Sequence, residues 1–201
     1  MNNYSKEPYK KSYYELEMVK QKILNCICIE ENILATLVFY EALEKNINMI
    51  KNVNAIFRVN TYQYNGLISN VILKLKSIHE KHQQDRRGNI IQVIKEMISE
   101  GCNVSKIEKE YIEYFNNDQI INKIKNFRNN TVAHDLSEKT KDLSFPEISA
   151  AIKQTVIIIR SLDTFFNIDE NEYEFIRAQA KKDVEYYFSS LMNGLVKGLS
   201  L

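Results

Sequence analysis

From Lys11 to Leu43, apolar residues recur every three or four positions: Leu16, Val19, Ile23, Cys26, Ile27, Leu34, Leu37 and Val38. This is the period of one helix face, and it predicts a helix with a break near Glu30–Asn32. Asn46–Asn48 reads as a turn. Ile50, Val53, Ile56 and Phe57 open a second segment. Tyr64, Leu67, Ile68, Val71, Ile72, Leu75 and Ile78 carry the same period to His79. The polar run "HQQDRRGN", which includes Gly88, is the first clear loop. Asn89 is placed to cap the next helix, "IIQVIKEMISE", and Gly101 to end it. "SKIE", from Ser105, is a capping-box pattern opening a helix to about Phe115. A further helix is expected from about Asp118 to His134, followed by the loop "DLSEKTKDL". "SFPE", Ser144 to Glu147, is a second capping box, with Pro146 in the first turn, where its missing N–H costs nothing. The helix it opens reaches about Asn167, and a last one covers roughly Glu170 to Leu195.

This order predicts one all-α domain over residues 1–201, a bundle of about six or seven helices without an internal repeat or a linker rich in Pro, Gly or Ser. Composition agrees. The chain has only 5 Gly and 2 Pro in 201 residues, too few turn formers for an all-β fold. The net charge of +1 gives no global basic field, so nucleic-acid binding must come from a local patch. The N-terminus lacks the apolar stretch of a secretory signal, and the run Ile33 to Tyr40 is too short to span a bilayer. A cytoplasmic protein without a membrane partner is the expectation. Cys26, Cys28 and Cys102 lack zinc-ligand spacing and read as small buried hydrophobes.

Most candidate chemistry dissolves on inspection. "HEKH", His79 to His82, is one residue short of H-E-x-x-H, and with Asp85 in a loop it reads as a solvated helix end. The five Gly form no phosphate loop. The pairs Tyr13–Tyr14 and Tyr186–Tyr187 read as covers of core edges. Acidic "DENEYE", Asp169 to Glu174, suits the start of a helix.

The stretch "KNFRNNTVAHDL", Lys125 to Leu136, is different. On a helix, Arg128 and His134 lie about 9 Å apart in rise and about 120° apart in direction. Thr131 stands three residues from each, and Asn130 is i−4 from His134. A guanidinium that holds a phosphate bidentately and an imidazole that titrates near neutrality are the groups RNA cleavage needs. Attack by the ribose 2′-OH requires neither metal nor cofactor. One His serves poorly as both base and acid, so a two-fold dimer along this helix, sharing one cleft, is expected. A purely structural alternative is that Arg128 pairs with an acidic neighbour and His134 ends the helix. Residues 120–141 carry Lys123, Lys125, Arg128, Lys139 and Lys141 against Asp135 and Glu138, net +3. The four lysines are candidate RNA contacts. Residues 169–185 are net −3.

"FRNNTVAHDL" resembles the Arg-x(4–6)-His motif of the HEPN superfamily, with Asn129 as the polar residue after the Arg. The Ala before the His, the Asp after it and the downstream "LSFPEI" resemble the abortive-infection U-type branch. So do the upstream helices "GLISNVILKLKSIHEK…GNIIQVIKEMI". The resemblance covers about Glu31 to Asn167. It implies a helical bundle, frequent homodimers and, in many members, metal-independent endoribonuclease activity of defence or toxin type. It implies that Arg128 polarises the scissile phosphate, His134 acts as general acid/base and Asn129 orients a motif side chain or the phosphate. Other members bind without cutting, so a non-catalytic module for RNA, a nucleotide or a protein is the alternative. An antitoxin or a nucleotidyltransferase is a further candidate partner. Some HEPN toxins carry a Tyr, two residues after the His, that such a transferase modifies. Leu136 stands there and argues against that route.

Overall fold

The computed structural model describes residues 10–45, 53–79, 88–126, 143–166 and 171–197. These form seven α-helices and no strand: α1 Lys10–Lys45, α2 Val53–His79, α3 Ile90–Ser99, α4 Ser105–Asn117, α5 Gln119–Asn126, α6 Phe145–Asp163 and α7 Glu172–Lys197. The expected turn at Asn46–Asn48 lies outside the described residues.

The central element is α1, which packs against α2, α3, α6 and α7. Its apolar positions Leu16, Val19, Ile23, Cys26, Ile27 and Ile33 are buried, as the period predicts. One main core joins them to Val71, Ile72, Leu75 and Ile78 of α2 and to Ile148, Ile152, Ile159 and Leu162 of α6. A smaller cluster of Phe39, Leu43, Val184 and Phe188 holds the far end of α1 against α7. An 18-residue window within α1 reaches a mean hydropathy of 1.5, apolar and long enough to cross a membrane, and half of it is buried in the bundle. The packing of α1 against four other helices gives it the place of a core helix.

A helix surrounded by neighbours also buries polar side chains, and each then needs a partner. The carboxylate of Glu15 accepts the Gly88 N–H at 2.7 Å, and the Lys22 ammonium donates to the Gly88 carbonyl at 2.6 Å. Gly88 has φ 74°, and an added Cβ would sit 2.8 Å from the Met18 Cβ. Only glycine fits this close, left-handed approach. Lys20, 2% exposed, pairs with Glu172 at 2.9 Å, Glu17 at 3.4 Å and Asp163 at 4.0 Å. Burial works to lower its pKa, but these carboxylates together hold it above the ordinary lysine value. Glu30 and Glu31 receive the two ends of the Arg177 guanidinium at 2.7 and 2.6 Å, and the Ser149 hydroxyl also donates to Glu30. The predicted break at Glu30–Asn32 is therefore absent. The two carboxylates are paired across to α7, and α1 continues through them.

The predicted helix ends fare unevenly. Asn89 caps α3, accepting the Gln92 N–H at 2.9 Å. Gly101, at φ 84°, closes α3 in a Schellman motif, with Cys102 N–H to Met97 O at 2.8 Å and Gly101 N–H to Ile98 O at 3.0 Å. The Ser144–Glu147 capping box forms, with Pro146 in the first turn of α6. The box expected at Ser105 does not. Val104 occupies the N-cap, and the Ser105 hydroxyl donates instead to Asn103 Oδ1 at 2.8 Å. Glu172 and Glu174 of the acidic run are spent on Lys20 and on Arg160, the latter at 2.9 Å. Tyr13 packs edge-on against Phe166 and Tyr187 edge-on against the core residue Phe188, whereas Tyr14 and Tyr186 are exposed, so one tyrosine of each pair covers a core edge.

Candidate functional site

Of the residues singled out in the sequence, Arg128, Asn129, Asn130, Thr131, His134, Lys139 and Lys141 lie outside the described residues. Lys123 and Lys125 lie within them, on the last turn of the helix that leads into the motif. The ground on which the motif stands is therefore α5 before it and α6 after it.

The start of α5 is fixed by Asp118, whose carboxylate accepts the Ile121 N–H at 2.8 Å. Ile121 and Ile124 are fully buried and seat the helix against the core, where it meets α2, α4 and α6. Lys125 turns back onto α4. Its ammonium donates to the Phe115 carbonyl at 2.6 Å and lies 3.9 Å from the centre of the Phe115 ring. This satisfies a carbonyl in the last turn of α4 and adds a cation–π contact. Lys123 reaches Glu147 Oε1 on α6 at 2.7 Å. The other carboxylate oxygen of Glu147 accepts the Ser144 N–H at 2.7 Å and the Ser144 hydroxyl at 2.8 Å. Lys123 first, and then Ser144, holds the Glu147 carboxyl down to about pKa 2.

Behind α5 stands His79, which ends α2. The reading of "HEKH" as a solvated helix end fails here: His79 is 0% exposed. Its Nε2 lies 2.9 Å from Thr155 Oγ1 on α6, and its Nδ1 lies 3.2 Å from the Tyr111 hydroxyl on α4. The Thr155 hydroxyl donates to the Ala151 carbonyl at 2.7 Å, so it accepts from His79. This assigns the proton to Nε2 and leaves Nδ1 to accept from Tyr111. The imidazole stacks on the Tyr111 ring and meets Tyr114 edge-on, both at 5.9 Å between centroids. Burial, aided by the charge of Lys125, drives its pKa down to about 3. It is a neutral strut joining α2, α4 and α6. One signal for this was present: His79 lies four residues after Leu75 and seven after Ile72, on the same buried face.

Elsewhere, α1 and α7 flank an open, mostly apolar groove of about 840 Å³ lined by Leu34, Val38, Phe39, Phe188 and Met192. Its charged members are already paired: Glu31 with Arg177, and Lys181 with Glu185 at 3.9 Å. Among the described residues, no three His, Cys, Asp or Glu side chains cluster as a metal-ligand set. Cys26, Cys28 and Cys102 are free thiols, and burial pushes Cys26 up to about pKa 12, far from a nucleophilic thiolate.

No curated protein and no solved structure matches the chain. The sequence model of the HEPN AbiU2 family matches residues 38–187. That span begins in the second half of α1, takes in the Arg128–His134 motif and ends within α7. It begins a little after Glu31 and continues into α7, beyond Asn167, where the resemblance read from the motif and its neighbours ended. With three quarters of its length inside this match, the chain belongs to the AbiU2 family of abortive-infection HEPN proteins.

Proposed function

We propose that this chain is a metal-independent endoribonuclease of defence or toxin type. The observation that carries the reading is the AbiU2 match, which encloses an intact Arg-x5-His motif, Arg128 to His134. The 2′-OH of one ribose attacks the adjacent phosphorus. The new O2′–P bond forms as the P–O5′ bond breaks, leaving a 2′,3′-cyclic phosphate and a 5′-OH. Arg128 binds the phosphate and stabilises the charge that accumulates on it. His134 removes the 2′ proton or supplies one to the leaving oxygen, and its copy in a second subunit takes the other role. Asn129, Asn130 and Thr131 support the two groups. Lys139 and Lys141 draw the RNA backbone to it. Single-stranded or looped RNA is the favoured substrate, because in-line geometry is easier to reach there than in a stacked A-form helix.

The test is incubation of the purified protein with mixed RNA in EDTA, beside His134→Ala. Cleavage by the wild type alone, with 2′,3′-cyclic phosphate ends or their opened products, is the expected result. A strict Mg²⁺ requirement with 3′-hydroxyl ends would overturn the mechanism. Intact RNA in both samples would leave a non-catalytic binding module.

A further inference from the structure

We propose that Lys123 and Glu147 form a clasp that holds together the helices entering and leaving the motif segment. Lys123 is then a positioning residue, not a phosphate contact. The inference rests on the endoribonuclease reading above.

Lys123 sits in the last turn of α5, and Glu147 in the first turn of α6. The residues between these helices, 127–144, contain the whole Arg128–His134 motif. The 2.7 Å bond from the Lys123 ammonium to Glu147 therefore closes the chain on either side of the motif. Glu147 is suited to the task because one oxygen takes the lysine while the other caps α6 through Ser144. Its position is set by the helix terminus before the lysine arrives. Lys125 works in the same sense, bracing α5 on the Phe115 carbonyl and ring of α4. Both lysines that precede the motif thus have their ammonium on a protein acceptor, Lys123 at the surface on Glu147 and Lys125 on the Phe115 carbonyl. An ammonium already bonded to a carboxylate attracts a phosphate less, since the pair is neutral as a whole.

The phosphate-contact alternative predicts the opposite response to one substitution. Glu147→Gln keeps an acceptor for Ser144, because Gln serves in a capping box, but removes the charge that holds Lys123. If Lys123 contacted RNA, this variant would free it, and KM would fall. On the clasp account the reacting groups lose alignment. Then kcat falls by about threefold to tenfold while KM stays within about twofold of wild type. Lys123→Gln should do the same, and the double variant should lose no more than either single one, because both remove one interaction. The salt dependence of RNA binding should be unchanged in Lys123→Gln. A fall in its log–log slope of about 0.7, the value for one lost contact to a single strand, would overturn the clasp. So would additive losses, or kcat unchanged in both single variants. If the wild type cuts no RNA, the endoribonuclease reading fails by itself. The clasp is then decided by amide hydrogen exchange in residues 119–126 and 145–149. Exchange should be faster in both single variants than in wild type, with no further gain in the double. Unchanged exchange would overturn it.

Discussion

His79 shows how much one side chain's surroundings decide. An imidazole ending a helix beside Lys and Glu reads as a solvated group, yet here it is enclosed by α2, α4 and α6 with both nitrogens bonded. His79→Ala would leave a cavity and two hydroxyls, of Tyr111 and Thr155, without their imidazole partner. A loss of about 3–5 kcal/mol in denaturant-induced unfolding is expected. The same residue predicts a pH dependence. Its pKa falls from 6.5 in the free side chain to about 3 in the fold, so the folded state favours the neutral ring. The stability it contributes is complete above pH 6.5 and is lost as pH falls from 6.5 toward 3. Asp163 opposes this over part of the range. Burial first, against the pull of Lys20 and the Tyr173 hydroxyl, raises it from 3.8 to about 6, so its protonation favours the fold between those values. The unfolding free energy of wild type should therefore fall more steeply on acidification than that of His79→Phe, which keeps an aromatic ring but cannot titrate. Parallel pH profiles for the two proteins would contradict the assignment of His79 as a buried neutral strut.

Among the elements, α1 and α7 pose the clearest case of sequence pattern meeting packing. The two helices join through Phe39, Leu43, Val184 and Phe188, and through Arg177 held by Glu30 and Glu31. Glu30 is 1% exposed, so removing the guanidinium strands a buried carboxylate. Arg177→Ala should cost about 3–5 kcal/mol. The triple variant Glu30→Gln, Glu31→Gln, Arg177→Met should recover most of that loss, because the charges vanish together. Equilibrium unfolding of the two variants checks this. A single variant within about 1 kcal/mol of wild type would show that the clamp has the weight of an exposed pair only.

At the scale of the whole molecule the open matter is assembly. In the proposed reaction the one motif imidazole of a chain would serve two proton transfers poorly, and a two-fold pairing that brings two motif segments together would supply a second without further sequence. α5 turns Ile121 and Ile124 to the core and leaves Gln119 and Lys123 outward. A pairing there would be polar rather than an apolar seam. Sedimentation equilibrium at micromolar concentration should give a dimer. A monomer that retains full RNA cleavage would remove the shared cleft from the mechanism.

The helices and their class were legible because helix formation is local. Period, caps and breakers lie within a few residues of one another, so α3, with Asn89 and Gly101 at its ends, could be read directly. Family membership was legible for a related reason: the motif is a short run, and AbiU2 likeness extends over the helices around it. What the sequence left open were properties that depend on a partner distant in the chain. Glu30 reads as a break until Arg177, 147 residues later, neutralises it. His79 reads as solvated until Thr155 enters hydrogen-bond range from 76 residues away. Lys123 reads as an unpaired surface cation until the fold brings Glu147 to it across 24 residues. The sequence by itself determined where helices form and which residue types carry the chemistry. Only the tertiary structure decided which charges remain available, because desolvation and pairing depend on distances that no spacing along the chain encodes.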